Sequence, residues 1–178
     1  MILKGTVMLS EKMGKAFNDQ VNAELYSSYL YLSMEAYFQS LSLKGFANWM
    51  RCQAQEELFH AIKIYDHINE RGGRVTLTTI ESPQVEWKSP LDVFEATLTH
   101  EKKVTGLINN LVDLAISEHD HASNSFLQWY VNEQVEEEAS ADDVIQKLKL
   151  MGDVPNGLFM IDRDLATRVF TMPASSSE

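Results

Sequence analysis

Apolar residues recur at helical spacing along four long stretches of the chain. The first, about residues 10–40, has no proline and no glycine after Gly14. It sets Phe17, Val21, Tyr31 and Phe38 on one face, with Ser10 placed as an N-cap. The second, about 44–72, carries Phe46, Trp49, Met50, Ile64 and Ile68 on one face and stops at Gly72-Gly73, where glycine takes a left-handed cap conformation. The third, about 90–117, opens at Ser89-Pro90, an N-cap followed by proline in the first turn, and runs through Phe94, Leu98, Ile108, Leu111 and Val112. The fourth, about 122–151, sets Phe126, Tyr130, Ala141, Val144 and Leu148 on one face and ends at Gly152. A shorter segment, about 156–170, has enough apolar positions for a small fifth helix, and the polar tail Pro173–Glu178 reads as a frayed end. Eight glycines and four prolines are few, and most fall between the periodic runs or at their ends, which favours long helices over strands.

The predicted fold class is all-α: one domain over 1–178, built as a four-helix bundle with one long crossover and a short C-terminal helix. Breaks of a few residues near 41–44 and 118–120 make the first and second helices, and the third and fourth, antiparallel neighbours. The connection over 73–89 carries Pro83 and two β-prone patches, Val75–Ile80 and Val85–Trp87. A helix of this size is about 45 Å long, and the connection reaches roughly 56–61 Å when extended. It can therefore span the bundle and leave the second and third helices parallel.

Polar residues interrupt the apolar faces in a repeating pattern. Glu57 and His60, three apart, share a face aimed at the core, as do Glu24, Glu101 and Glu137 on their own helices. The interval from Glu24 to Glu57 equals that from Glu101 to Gln134, and one constant shift along the chain carries Glu24, Glu57 and His60 onto Glu101, Gln134 and Glu137. Residues equidistant from the turn of a hairpin stand level, so both hairpins bring these groups to one height. Four carboxylates at Glu24, Glu57, Glu101 and Glu137 carry −4, and an uncompensated ion in a bundle core costs several kcal/mol. Two divalent cations neutralise them, and so do two ferric ions bridged by one oxide. Oxygen-rich ligation with one imidazole suits a pair of irons better than a lone zinc, which favours a tetrahedral site richer in His or Cys.

Composition narrows the partners. The net charge of −11 argues against nucleic acid and anionic membranes. Cys52 is the only cysteine, which excludes an internal disulfide and fits a reduced cytoplasmic setting. The opening stretch, Met1 to Met13, lacks a signal-peptide pattern, and no apolar run reaches the length of a membrane span.

Asn22-Ala23-Glu24-Leu25-Tyr26-Ser27-Ser28, Gln53-Ala54-Gln55-Glu56-Glu57-Leu58-Phe59-His60, Glu81-Ser82-Pro83 and Phe126-Leu127-Gln128-Trp129-Tyr130-Val131-Asn132-Glu133-Gln134 resemble the non-haem ferritins of bacteria and archaea, over about Ser10–Leu165. The resemblance implies a dinuclear ferroxidase centre with Glu24, Glu57 and His60 on one iron and Glu57, Glu101 and Glu137 on the other. It further implies that Gln134 orients water or dioxygen, that Glu56, Glu133 and Glu136 with Glu137 form a third iron site, and that Tyr31 takes part in electron transfer. The implied activity is oxidation of Fe(II) to Fe(III) with O2 or H2O2, and storage as ferric mineral in a homo-oligomeric shell of 24 subunits. Leu58 stands where bacterioferritins carry a haem-ligating methionine, so no haem is expected. One cysteine excludes a rubredoxin-like module.

Two rivals share these residues: a non-storing di-iron oxidase or peroxidase of small assembly, and a structural bundle with a buried hydrogen-bonded network. Tyr26, Tyr29 and Tyr37 read as packing or interface residues, and His67, one heptad beyond His60, as a structural histidine. His100, His119 and His121 read as surface residues, and Trp129 and Cys52 as core or near-core.

Overall fold

The structure, a computed structural model, describes residues 9–152, 154 and 156–172. The polar tail over 173–178 lies outside them. Five helices follow in order: α1 (Glu11–Ser40), α2 (Lys44–Glu70), α3 (Pro90–Ser117), α4 (His121–Met151) and α5 (Gly157–Leu165). The caps are those the sequence indicates. Ser10 accepts from the Met13 amide, Ser89 from the Asp92 amide with Pro90 in the first turn, and Gly72 takes φ 70° after α2. The internal repeat extends into the hairpin turns. Both contain a non-glycine residue with left-handed φ, Ser42 at 61° and His119 at 56°, and the shift that relates the polar groups also carries one of these onto the other.

The four long helices form an all-α bundle, and their directions follow from paired contacts. Ser27 meets His100 while Met34, further along α1, meets Thr97, so α1 and α3 are antiparallel. Gln53 meets Glu137 and His60 meets Tyr130, so α2 and α4 are antiparallel as well. With two antiparallel hairpins, α2 and α3 run parallel, which requires the long crossover.

That crossover forms no strand at either β-prone patch; among the described residues there is none. Its polar backbone is satisfied instead by side chains along α1. Asn18 donates to the Arg74 carbonyl and accepts from the Thr76 amide. Asn22 donates to the Thr79 carbonyl, Ser33 to that of Gln84 and Tyr37 to that of Trp87. A strand needs a neighbouring strand's backbone to complete its hydrogen bonds, and here a helix supplies the partners.

The fifth helix is shorter than the sequence suggests: it ends at Leu165, not near 170. The apolar residues beyond it, Val169 and Phe170, belong to a non-helical tail that runs along α2. There Asn48 donates to the carbonyls of Leu165 and Arg168, and the chain leaves the α-helix through three-residue turns, the Thr167 amide donating to the Asp164 carbonyl and the Arg168 amide to that of Leu165. At the other end of this contact Asp162 of α5 accepts from the amides of Gly45 and Phe46, filling the open N-terminus of α2. The two backbones approach so closely that a Cβ on Gly45 would lie 1.6 Å from the Asp162 carbonyl oxygen.

The apolar core divides into two clusters. One gathers around Phe38, Phe46, Trp49 and Phe94 at the α1–α2 turn under α5. The other gathers around Phe17, Ile64, Ile108, Leu127 and Tyr130. Between them lies a belt of buried polar residues.

Candidate metal centre

Helical phase places the polar belt on the inward faces of the four long helices. Glu24, Glu57, His60 and Glu101 are each 1% exposed, and Gln134 and Glu137 each 4%. Burial at this level, with no lysine or arginine among these residues, leaves the charge to be compensated in some other way.

Two groups of ligand-type atoms meet among the described residues. One atom each from Glu24, Glu57 and His60 lie within 4.8 Å of one another, and the same holds for Glu56, His60 and Glu137. Glu57 Oε2 stands 3.4 Å from His60 Nδ1. Glu24 Oε2, Glu57 Oε2 and His60 Nε2 are buried without a hydrogen-bond partner. Orphaned polar atoms are rare in protein interiors, and an inward-facing set of two carboxylates and an imidazole fits a divalent cation by both charge and donor type.

The α3–α4 side is arranged differently. The Tyr31 hydroxyl donates to Glu101 Oε1, and Gln134 Nε2 donates to Glu101 Oε2 at 3.2 Å and lies 3.3 Å from Thr105 Oγ1. Gln53 Nε2 donates to Glu137 Oε2. Glu101 thus faces the cluster but belongs to neither close group; Glu137 is grouped with Glu56 and His60, not with Glu57 and Glu101.

The electrostatics follow from burial and crowding. Burial pushes the Glu57 carboxyl far above the usual carboxylate range, and Glu101, Glu24 and Glu137 push it the same way. Glu24 is raised by burial, against hydrogen bonds with Gln20 and Glu57 that hold it down. Burial lifts Glu101 to about 7 despite its bonds with Tyr31 and Gln134. Burial, then Glu101 and Glu56, also raise Glu137 strongly. Without cations, protons compensate the belt. His60 is pushed down to about 4 by burial and by Lys63, which keeps its imidazole neutral and able to act as a ligand near pH 7.

Tyr31 sits at the belt through Glu101, and its hydroxyl is pushed well above 10 by burial and by Glu101 and Glu57. Glu56, Glu133 and Glu136 cluster at the outer edge of the belt. Burial raises Glu133, and Glu136 and Glu56 add to it.

Several partners escape a reading of the sequence alone. Gln20 donates to Glu24 at 2.8 Å, and Gln53 to Glu137. A signal for both is present, since each lies just over one helical turn before a core glutamate, Gln20 before Glu24 and Gln53 before Glu57, in step with the repeat. Tyr130, on the apolar face of α4, also donates its hydroxyl to the His60 carbonyl at 2.8 Å and so fixes the helix that carries the imidazole. His100 is not a free surface residue. Its Nε2 lies 2.8 Å from Ser27 Oγ, its ring stands edge-on to Tyr31, and burial and Lys103 lower it to about 4. His67 is a packed residue, stacked on Phe126 at 3.8 Å between ring centroids.

Comparison with known proteins agrees with this architecture. The family model described as "Ferritin-like domain" matches residues 14–151. The chain is 45% identical over 161 residues to a bacterial non-heme ferritin of Bacteroides fragilis, covering 90% of this chain and 100% of the relative. It is 43% identical to one of Staphylococcus epidermidis, covering 92% and 98%. Among solved structures, an open-pore ferritin from the archaeon Archaeoglobus fulgidus superposes with a TM-score of 0.89 at 55% identity, covering 90% of this chain and 98% of that one. A closed form of the ferritin of that organism, engineered by mutagenesis, superposes at 0.90 with 56% identity, covering 91% and 99%. A bundle of this topology, closed around a buried carboxylate belt and matched along most of its length by these relatives, places the chain in the ferritin family.

Proposed function

We propose that this ferritin stores iron: its buried belt binds two Fe(II) as substrate, oxidises them with O2 or H2O2, and passes Fe(III) to a mineral held inside a homo-oligomeric shell of 24 subunits in the cytoplasm. The observation that carries this reading is the group of Glu24, Glu57 and His60, whose ligand-type atoms converge in the core and include orphaned donors to a cation. Glu24, Glu57 and His60 hold the first iron; Glu57, Glu101 and Glu137 hold the second, with Glu57 shared between them. Gln134 orients water or oxidant there, Tyr31 serves electron transfer, and Glu56, Glu133 and Glu136 with Glu137 form the third position.

The chemistry follows from the charge. Each Fe(II) gives up one electron, and the pair together supplies the two that reduce O2 to peroxide or peroxide to water. Carboxylates favour the more highly charged ferric product over the ferrous substrate. Protons held by Glu57 and its neighbours leave as the cations arrive. Self-assembly is supported by large apolar side chains left exposed on α1 and α2, including Tyr29 at 49%, Leu32 at 41%, Leu58 at 47% and Ile62 at 47%. No helix among the described residues is long and apolar enough to cross a membrane.

The test is size-exclusion chromatography with light scattering on aerobically iron-loaded protein, with iron counted across the same peak. A particle of 24 chains of 20.2 kDa holding far more iron than its centres can bind is expected. A small oligomer with two irons per chain would overturn storage and leave a di-iron oxidase.

A further inference from the structure

The tail after α5 places a positive charge on the carboxylate belt. Arg168 lies outside the residues matched by the family model. Its guanidinium bonds Glu56 Oε2 at 2.7 Å through one terminal nitrogen and Gln53 Oε1 at 2.8 Å through the other. Its Cζ lies over the Trp49 ring, 4.4 Å from the ring centroid. Gln53 passes the contact inward, because its amide nitrogen donates to Glu137. Glu56 and Glu137 are both members of the second group of ligand-type atoms, with His60. One guanidinium thus engages one of these carboxylates directly and the other through a single amide.

The segment carrying Arg168 is non-helical and meets α2 through side chains. Asn48 donates to the carbonyls of Leu165, Ala166 and Arg168, the Cys52 thiol lies 3.5 Å from the Arg168 carbonyl, and turn bonds run from the Thr167 and Arg168 amides to the carbonyls of Asp164 and Leu165. Phe170 meets Phe59 at 6.4 Å between ring centroids. The Arg168 and Glu56 side chains each remain 23% exposed, so a cation can reach this edge of the belt from the surface. A divalent ion that coordinates Glu56 and Glu137 brings twice the charge of the guanidinium to the Glu56 carboxylate that Arg168 bonds, and to the Glu137 oxygen that Gln53 bonds, so it competes with both contacts.

Resting on the iron-handling reading above, we propose that Arg168 is a displaceable internal cation of the outer metal position: it holds Glu56 and Glu137 until a third metal ion replaces it and releases the tail from α2. Arg168 is a positioning residue in this scheme. It makes the outer position weaker than the inner two and so orders their filling. It also links occupancy of that position to the freedom of the segment over 166–172.

The experiment is anaerobic calorimetric titration of the metal-free assembly with Zn(II), as a redox-inert probe, and with Fe(II), on the wild type, Arg168→Gln and Arg168→Lys. The expected result is two tight ions per chain in all three proteins. The third should bind about tenfold more tightly in Arg168→Gln, because the cost of displacement is gone, with Arg168→Lys in between. Hydrogen exchange on the wild type supplies an independent readout: amides over 166–172 exchange faster on addition of the third equivalent and not of the first two. Two tight ions with a third that Arg168→Gln leaves unchanged or weakens would overturn this inference alone, as would a third ion that binds without loosening the tail. Absence of any tight ion in the wild type would overturn both this inference and the reading it rests on.

Discussion

In the α1–α2 hairpin, Glu24, Glu57 and His60 bring ligand-type atoms together, and each has a buried oxygen or nitrogen with no hydrogen-bond partner. In the α3–α4 hairpin, which repeats the same constellation at a constant shift along the chain, Glu101 is bonded by Tyr31 and Gln134, and Glu137 by Gln53. The first hairpin keeps one unpartnered ligand atom on each of these residues, even though Gln20 donates to the other Glu24 oxygen; in the second, neutral donors latch both oxygens of Glu101 and one of Glu137. One part of the difference lies within the repeat, at Gln134; the other comes from across the bundle, since Tyr31 belongs to α1 and Gln53 to α2. Where the first half has Glu57 and His60, the second has Gln134 and Glu137, and an amide donates a hydrogen bond to a carboxylate where a second carboxylate would repel it. On the proposed reading, one half of this pseudo-symmetric fold offers unpartnered ligand atoms to a metal, and the other would first exchange hydrogen bonds for it.

The strongest way to break this comparison is to remove a residue from each half. Glu57→Ala takes away the carboxylate common to both proposed positions and should slow ferrous oxidation by roughly a hundredfold or more, whereas Glu101→Gln should cost about tenfold. Stopped-flow oxidation under single-turnover conditions measures both. Equal losses would mean the halves are functionally equivalent.

A second prediction concerns stability and pH. Glu101 is raised from the ordinary 4.5 to about 7 in the folded protein. The folded state therefore binds its proton more tightly than the unfolded state, and the stabilisation this gives is complete below about 4.5 and lost as pH rises through 7. Relative to Glu101→Gln, metal-free wild type should lose on the order of 3 kcal/mol between these limits. Comparing the two proteins removes the effect of His60, whose lowered value favours the folded state above about 6.5 and loses that contribution as pH falls toward 4. Calorimetric melts of both proteins across this range test it; parallel curves would show that Glu101 keeps its ordinary value.

The smallest effect expected is that of Tyr31→Phe. It removes one donor from Glu101 and leaves its Oε1 unsatisfied, which should destabilise the metal-free protein by about 1–2 kcal/mol. The same change should narrow the difference between the halves by tightening metal at Glu101. Thermal unfolding with and without Zn(II) distinguishes the two: a larger metal-induced rise in the variant is expected, and an equal rise would remove Tyr31 from the latch.

Much of this is legible in the chain itself. The extents of the four long helices follow within a few residues because periodic apolar faces, Ser10, Ser89-Pro90 and the glycines after α2 and α4 act through local backbone chemistry. The core carboxylates and His60 are legible for the same reason: a helix fixes which face a residue occupies, and the repeat sets their heights. What the tertiary structure alone decides is whom each group meets. The course of the tail after Leu165 depends on Asn48, far away on α2, and the course of the crossover depends on donors spaced along α1. Tyr31 and His100 become a latch and its neighbour because α3 packs against α1. Arg168 carries no pattern at all, and its place on Glu56 exists only because the tail folds back over α2. Local chemistry determines the elements and their faces, while pairing between distant segments depends on three-dimensional packing that no short-range pattern encodes.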